Sequence, residues 1–201
     1  SEMGFCRSQI LTLEEKREQV ARVDSLRNRK TKAIQRLSKI QTKLEEVSSL
    51  QENRYVTVYG SIESKSKELL ELDGGYETAF TNPEEVTFDF AKDKMYVNGR
   101  SKFSASSMVV MKNSIRFSIF AEAADDRYAR LPNFLLMDNI EDKGMQKERS
   151  QNFQRQMVEV SKTIKNDFQL IYTTSMIADE HEGTAMCVGP FYPKGSHTLE
   201  F

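Results

Sequence analysis

The chain lacks several features that mark common classes of protein. Its 201 residues include no tryptophan, two histidines, four prolines and two cysteines. Cys6 and Cys187 lie far apart and belong to no CxxC or Cys/His pattern, which argues against a disulfide scaffold or a zinc site and favours a reducing compartment. No apolar run reaches the about 18 residues of a membrane helix, and no signal peptide opens the chain. The sequence predicts a cytoplasmic protein without a membrane partner.

An excess of charge of one sign is also absent. Lysine and arginine number 29 and aspartate and glutamate 30, so the formal net charge is -1. This balance does not indicate a nucleic-acid-binding protein, although it leaves room for a local basic face. A hydrophobic content of 38% is enough for a core in one or two domains.

The first part of the chain has the pattern of a coiled-coil helix. Residues 10–52 contain no proline or glycine, and their apolar residues recur in alternating steps of three and four. We therefore predict a coiled-coil helix over residues 1–54. The alternative is an ordinary long helix that lies on a globular domain. The predicted seam consists of Val23, Leu26, Lys30, Ala33, Leu37, Ile40, Leu44, Val47 and Gln51.

Residues 55–201 have the pattern of a globular α/β domain. Short apolar strands alternate with helical segments, which is typical of a mainly parallel sheet flanked by helices. The last residues, 197–201, also resemble a strand. The predicted elements are a strand at 55–60, a helix from 61 that stops at Gly74 and Gly75, a hairpin at 86–90 and 95–97, a helix at 108–120, a strand at 134–137, a helix at 145–165 and a strand at 170–173.

One predicted strand runs directly into a group of acidic residues. The apolar run 134–137 is followed by Asp138, and Glu141 and Asp142 come shortly after it. Ligands of α/β sheets bind beyond the carboxyl ends of the strands, so Asp138 could hold a hydrated Mg²⁺ while Glu141 or Asp142 orients or deprotonates a water. The alternative is that Asn139 and the two later acids only begin the next helix, where acceptors and negative charge suit unpaired amides.

A run of small hydroxyl residues precedes the predicted helix 108–120. Ser104, Ala105 and Ser106 lie in this run. Small residues at a helix start leave backbone N–H groups free to approach an anion, and the helix dipole favours a phosphate there. The alternative is a serine-rich helix cap without a ligand.

The order and spacing of these motifs, taken together, resemble those of a known family. The chain resembles the C-terminal half of an ABC-type ATPase head of the SMC family, a group of P-loop NTPases, and its relatives in double-strand-break repair and the RecF/RecN group. The resemblance covers the coiled coil, a signature-like FSASS at 103–107, a Walker B-like FLLMD at 134–138, a D-loop region at 141–145 and a switch-like LIYTT at 170–174. It implies the C-terminal lobe of such a head, with a mainly parallel sheet and flanking helices.

The resemblance also implies a mechanism. Heads of this family sandwich two ATP molecules between them, so each signature motif contacts the γ-phosphate held by the opposite head. Ser104, Ala105 and Ser106 match the signature residues by this resemblance, and Asp138 matches the aspartate that acts through Mg²⁺. It further implies a homodimer of heads on ATP, a DNA partner and association with the nucleoid.

Two residue positions depart from the family pattern. The catalytic glutamate of the family normally follows the Walker B aspartate directly, but this chain has Asn139 there, an amide that cannot act as a base. Glu141 is the nearest replacement. The switch position usually holds a histidine, whereas Thr174 or Ser175 occupies it here. The resemblance therefore implies that these hydroxyl groups bind the nucleotide by sensing its γ-phosphate. His181 lies beyond the predicted strand, and we expect it at the surface.

A phosphate loop of the form GxxxxGK[ST] is absent from the sequence. Residues 60–66 come near to it, but they lack the second glycine and carry Glu63 where a phosphate would lie. The resemblance implies that an N-terminal lobe supplies this loop and reaches the present chain through an antiparallel coiled coil.

Three functions follow from these patterns. The first is an ATPase part of a DNA-associated clamp that acts in repair, chromosome maintenance or defence. The second is a coiled-coil interaction module with a degenerate, non-hydrolysing ATPase-like domain, which Asn139 and the missing switch histidine favour. The third is a metal-dependent nuclease built on Asp138, Glu141 and Asp142, which leaves the FSASS run and the coiled coil unexplained.

Overall fold

The structure is a computed structural model that describes residues 2–89 and 91–189, apart from the side chains of Asp142 and Lys143. The chain divides into two compact units, Ser1–Val56 and Thr57–Phe201. In chain order, the elements are helix α1 (Glu2–Glu71), a 3₁₀ helix (Thr78–Phe80), β1 (Val86–Asp89), β2 (Lys94–Val97), α2 (Ala105–Asp125), β3 (Phe134–Met137), a second 3₁₀ helix (Ile140–Lys143), α3 (Lys147–Ser161) and β4 (Gln169–Tyr172).

The first unit consists of the N-terminal part of α1. Its helical conformation confirms a helix in the region predicted as residues 1–54, but α1 continues beyond that region to Glu71. Every described side chain of this unit is exposed, and the seam residues Leu37, Ile40 and Leu44 are 57%, 55% and 65% exposed. Helices in proteins gain most of their stability from packing of an apolar face, and this seam has no such packing within the described unit.

The predicted strand at 55–60 is wrong, because α1 continues through it to Glu71. The alternating sequence YVTVYG has strand propensity, but the spacing that follows it places Ile62, Ser66, Leu69 and Leu70 on one buried helical face. Packing of that face overrides the local preference. The near-match to a phosphate loop at 60–66 is therefore part of a helix.

Helix α1 stops where the sequence predicts. Gly74 and Gly75 have φ values of 79° and 80°, in the left-handed region that favours glycine. Just before them, the amide of Asp73 donates to the carbonyl of Leu70 at 3.0 Å. This tight ending turns the chain back and leaves Asp73 buried among the elements that follow.

Strands β1 and β2 form the predicted hairpin. They pair antiparallel, with Val86 opposite Val97 and Asp89 opposite Lys94. Val86 and Val97 are almost completely buried and join the hydrophobic core. The inner face of the hairpin thus contributes to the same core as α2.

Strands β3 and β4 form a parallel pair and confirm the strands predicted at 134–137 and 170–173. Their register runs from Phe134 opposite Gln169 to Met137 opposite Tyr172. One face packs on the core, whereas Phe134, Leu136 and Ile171 on the other face are 44%, 54% and 39% exposed. The fold is mixed α/β, but its described strands form two separate pairs rather than one larger sheet. The strand predicted at 197–201 lies outside the described residues.

Helices α2 and α3 complete the second unit. Helix α2 extends beyond the predicted 108–120 at both ends, and α3 is shorter than the predicted 145–165. Met111, Ile115 and Phe117 of α2 are fully buried, which places this helix at the centre of the core. None of the described helices is both long enough and apolar enough to cross a membrane.

Candidate functional site

The parallel pairing of β3 and β4 creates an acidic edge at their carboxyl ends. The amide of Thr173 donates to the carbonyl of Met137 at 3.0 Å, and the amide of Asn139 donates to the carbonyl of Thr173 at 3.2 Å. These bonds extend the pairing just beyond the strands. They bring Thr173 beside Asp138, so that Thr173 Oγ1 donates to Asp138 Oδ1 at 2.5 Å. Asp138 is exposed at the edge where the sequence predicts a ligand.

The residue after Asp138 reverses the chain sharply. Asn139 has φ 44° and ψ 58°, a left-handed conformation that asparagine tolerates better than most residues. The 3₁₀ helix Ile140–Lys143 begins immediately after it, and the side chain of Asn139 does not cap this helix. Asn139 therefore stands at the N-terminal end of a short helix, as the alternative interpretation of this segment expects, but it forms no side-chain cap. Its conformation instead allows Glu141 to turn inward.

Glu141 is buried, with 5% of its surface exposed, and hydroxyl residues hold it from one side. Its Oε1 accepts hydrogen bonds from Thr174 Oγ1 at 2.8 Å, from the Ser175 amide at 2.5 Å and from Ser175 Oγ at 3.2 Å. Its Oε2 is buried and has no hydrogen bond among the described residues. A buried carboxylate oxygen without a partner costs free energy, so this atom indicates a place where a water or ligand binds.

Tyr172 lies behind Glu141. Burial raises the pKa of the Tyr172 phenol well above its ordinary value, and the Glu141 carboxylate raises it further, although Ser150 and Gln154 beside the phenol oppose this shift. Its hydroxyl is buried and has no partner of good geometry among the described residues. The phenol therefore remains neutral beside the acid at physiological pH.

Two glutamines of α3 hold the segment that follows β4. Gln154 donates to the carbonyl of Met176 at 2.9 Å and accepts from the amide of Ala178 at 2.9 Å. Gln151 donates to the carbonyl of Ile177 at 2.8 Å. Helix α3 thus fixes the backbone just after the two residues that bind Glu141.

The FSASS run contacts a buried ion pair. Ser104 caps α2 by accepting from the Ser107 amide at 3.3 Å, as the alternative interpretation of this run expects, and Ala105 is the first residue of the helix. Arg149 donates to Ser106 Oγ at 3.0 Å and to Ser107 Oγ at 3.2 Å. The same guanidinium forms a two-pronged pair with Asp73, at 2.8 and 2.6 Å.

Both members of this pair are almost completely buried, with Arg149 at 3% and Asp73 at 4% exposed. Burial raises the pKa of the Asp73 carboxyl, and the hydrogen bonds and charge of Arg149 oppose that rise. The arginine therefore joins the end of α1, the start of α2 and the start of α3 in one charge-assisted cluster.

The predicted site residues thus form two groups. Asp138, Glu141, Thr174 and Ser175 come together at the carboxyl edge of the parallel pair. The run 104–106 belongs to the Arg149 cluster, and no hydrogen bond joins it to Asp138 or Glu141 within the described part of the chain.

A groove of about 340 Å³ opens beside Asp138. Asn113 and the exposed Arg116 of α2 line it together with Asp138 and Asn139. Arg116 belongs to none of the salt bridges among the described side chains. The groove instead places a cation and an acid along one surface.

A second cavity, of about 320 Å³, lies between α3 and the segment after β4. His181 lines it, and its Nε2 is buried without a partner among the described residues. His181 is partly exposed although its Nε2 is buried, so its predicted surface position is confirmed only in part. The segment after β4 folds back over α3, which covers this side chain.

The acidic edge offers a metal ion one exposed carboxylate rather than a full set of protein ligands. No cluster of three or more His, Cys, Asp or Glu residues that could hold a metal occurs among the described side chains. Asp138 is exposed, and Thr173 occupies only one of its oxygens. Magnesium accepts one or two carboxylates with waters and substrate phosphates, and Asp138 is suited to that role.

Sequence reasoning missed the contributions of Arg149, Asp73 and Gln154. Arg149 and Asp73 are separated by 76 positions, so no local pattern pairs them. The spacing of Gln151 and Gln154, three residues apart on a helix, was the one local signal for a shared polar face.

A scan against protein-family models finds no match for the chain, and a search of curated proteins finds none either. We therefore infer function from the residues and their geometry.

Proposed function

We propose that this chain is the C-terminal part of an SMC-like ATPase, in which ATP hydrolysis between paired heads drives a DNA-associated clamp. The observation that carries this proposal is the acidic edge. An exposed aspartate and a buried glutamate follow the same strand, and hydroxyl residues that follow the neighbouring parallel strand hold both of them. Such a pair of acids suits phosphoryl transfer to water, because one can bind the metal and the other can orient or deprotonate the water.

Each group of site residues has a role in this proposal. Asp138 would hold Mg²⁺, and Glu141 would orient and deprotonate the attacking water. The bound Mg-ATP supplies the phosphorus that the water attacks. Ser104, Ala105 and Ser106 would offer N–H and hydroxyl groups at the start of α2 to the γ-phosphate of a nucleotide on the opposite head.

Two exposed apolar surfaces support a partner lobe. Parallel sheets are normally covered on both faces, yet Phe134, Leu136 and Ile171 expose one face of the β3–β4 pair. The seam of the first unit is also uncovered. An N-terminal lobe on an antiparallel coiled-coil strand would cover both surfaces and would supply the phosphate loop that this sequence lacks.

The remaining partners rest on the resemblance. A homodimer of heads on ATP agrees with the lack of a hydrogen bond between the FSASS run and the acidic edge among the described residues, because each nucleotide would contact one group from each copy. The DNA partner has no further support, since the chain carries no marked excess of basic charge.

Calorimetric titration of Mg-ATP tests this proposal. The chain is titrated alone and then with the N-terminal lobe supplied on a matching coiled-coil strand. We expect binding only in the mixture, followed by ATP turnover. Asp138→Asn should lower that turnover by about a hundredfold, since metal stabilisation supplies several kcal/mol. Asp167→Asn, at an exposed aspartate away from the site, is the matched control. Binding to neither preparation would overturn the proposal.

A coiled-coil interaction module without hydrolysis is the second candidate. The uncovered seam favours it, because an apolar stripe of this length needs a partner whether or not ATP is bound. Asn139 in the position of the usual catalytic acid agrees with it. In the same titration, this candidate predicts that the chain and the N-terminal lobe associate but that the addition of Mg-ATP releases no heat of binding.

A further inference from the structure

Three consecutive hydroxyl residues after β4 each bond to one of the two acids. Thr173 donates to Asp138 at 2.5 Å, and Thr174 and Ser175 donate to Glu141 at 2.8 and 3.2 Å. The Ser175 amide adds a further bond to Glu141 at 2.5 Å. The acids of one strand end are therefore held by the hydroxyl groups of the neighbouring strand end.

The hydrogen-bonding capacity of Thr174 is already used. A hydroxyl has a single hydrogen, and that of Thr174 points to Glu141. Its oxygen accepts from the Met176 amide at 2.9 Å and from Gln154 Nε2 at 3.5 Å. Thr174 has no second hydrogen to donate to a phosphate oxygen while these bonds are in place.

The bonds also make the two oxygens of Glu141 different. All the donors reach Oε1, whereas Oε2 is buried and has no partner among the described residues. Donors on one oxygen fix the plane and rotamer of the carboxylate. They leave the other oxygen as the acceptor for a water proton.

We propose that Thr174 and Ser175 are positioning residues that act through Glu141, and that Thr174 does not contact the nucleotide. This inference rests on the proposed ATPase function. It differs from the role that the resemblance implies, in which the switch position contacts the γ-phosphate.

In the proposed step, Glu141 Oε2 accepts a proton from the attacking water. The water oxygen forms a bond to the γ-phosphorus, and the bond from that phosphorus to the ADP oxygen breaks. The electron pair of the broken bond stays on ADP. Thr174 and Ser175 keep Oε2 directed to the water, so their loss should slow this step without weakening ATP binding.

Thr174→Val and Thr174→Ser test this assignment in the chain completed by its N-terminal lobe. Valine keeps the shape of threonine but removes the hydroxyl, and serine keeps the hydroxyl. We expect Val to lower kcat about tenfold while KM for ATP and ATP-dependent pairing of heads stay unchanged, because only the base is misplaced. Ser should restore kcat. A raised KM and weaker pairing with unchanged kcat would identify a phosphate contact and overturn the assignment.

A second measurement distinguishes a positioning role from a folding defect of the valine variant. In a Glu141→Gln background, Thr174→Val should have no further effect on the residual turnover, because the residue acts through Glu141. Thr174→Ala replaces the valine variant if circular dichroism shows that valine does not fold. An additive loss in the double variant would contradict the proposal.

The wild-type protein separates the two levels of inference. Absence of ATP turnover in the completed wild-type protein would overturn the proposed function and this assignment with it. An active wild type with an unchanged kcat in Thr174→Val would overturn only the positioning role.

Discussion

At the residue scale, the conformation of Asn139 decides which acid lies inside. Because Asn139 takes a left-handed conformation, the chain turns immediately after Asp138 and buries Glu141 two positions further on. Asp138 stays exposed. A single backbone turn thus gives two nearby carboxylates different surroundings, and different surroundings are the usual basis for different chemical roles.

Tyr172 provides a prediction about pH at the same scale. Burial raises its pKa above the ordinary value of 10.0, so the folded chain holds the phenol proton more tightly than the unfolded chain. Its contribution to stability is present below pH 10.0 and is lost as the pH rises above that value. Tyr172→Phe should reduce this alkaline loss.

Urea unfolding of the wild type and Tyr172→Phe, at pH values on either side of 10.0, measures the difference. The matched control is Tyr128→Phe, because Tyr128 is 60% exposed. An equal alkaline loss in the wild type and Tyr172→Phe would show that the buried phenol does not contribute.

At the element scale, α3 connects the two groups of site residues. Its first turn carries Arg149, which holds the FSASS run and the end of α1, and its middle carries Gln151 and Gln154, which hold the segment after β4. One helix therefore holds the FSASS run, the candidate anion-binding segment, at its start and the residues that donate to Glu141 at its middle.

The buried pair of Arg149 and Asp73 gives a prediction at this scale. Arg149→Met leaves the Asp73 charge buried without a partner and should lower the free energy of unfolding by about 3–5 kcal/mol. The double variant Asp73→Leu/Arg149→Met removes both charges and should recover most of that loss. Urea unfolding measures both changes.

The control for this prediction lies on the same helix. Arg155 pairs with Glu180, but their side chains are 43% and 46% exposed. Exposed pairs contribute little, so Arg155→Met should change the free energy of unfolding by about 1 kcal/mol or less. Equal losses from the buried and exposed arginines would contradict the importance of the cluster.

At the scale of the whole molecule, exposed apolar surface occurs in both units. The seam of the first unit and the open face of the β3–β4 pair in the second unit each lack a cover within the described residues. Surfaces of this kind mark sites of association. We expect the chain to associate with itself when no other partner is present.

Substitutions in the seam test this expectation. Leu37→Glu combined with Leu44→Glu places charge at two seam positions and should weaken self-association by about tenfold or more. Gln35→Glu combined with Ser49→Glu adds the same charge on the opposite side of the helix and should leave association unchanged. Sedimentation equilibrium measures both variants. Equal behaviour of the two pairs would show that the seam is not the interface.

Local sequence patterns predict part of this fold and fail at identifiable places. The hairpin at 86–97 and the strand before Asp138 are confirmed because polar turns and short apolar runs restrict the chain locally. The strand predicted at 55–60 is wrong because burial of Ile62 and Leu69 on one helical face stabilises a helix by more than local strand propensity favours a strand. Local preference of that size is easily overridden by packing.

The sequence by itself determined the long helix with its apolar seam and the position of Asp138 at a strand end, because these depend on periodicity and on neighbours in the chain. Only the tertiary structure decided that Glu141 is buried, that Thr174 and Ser175 bond to it, and that Arg149 joins Asp73 to the serine run. These contacts link residues more than 30 positions apart, and their geometry depends on how strands and helices pack rather than on any local pattern.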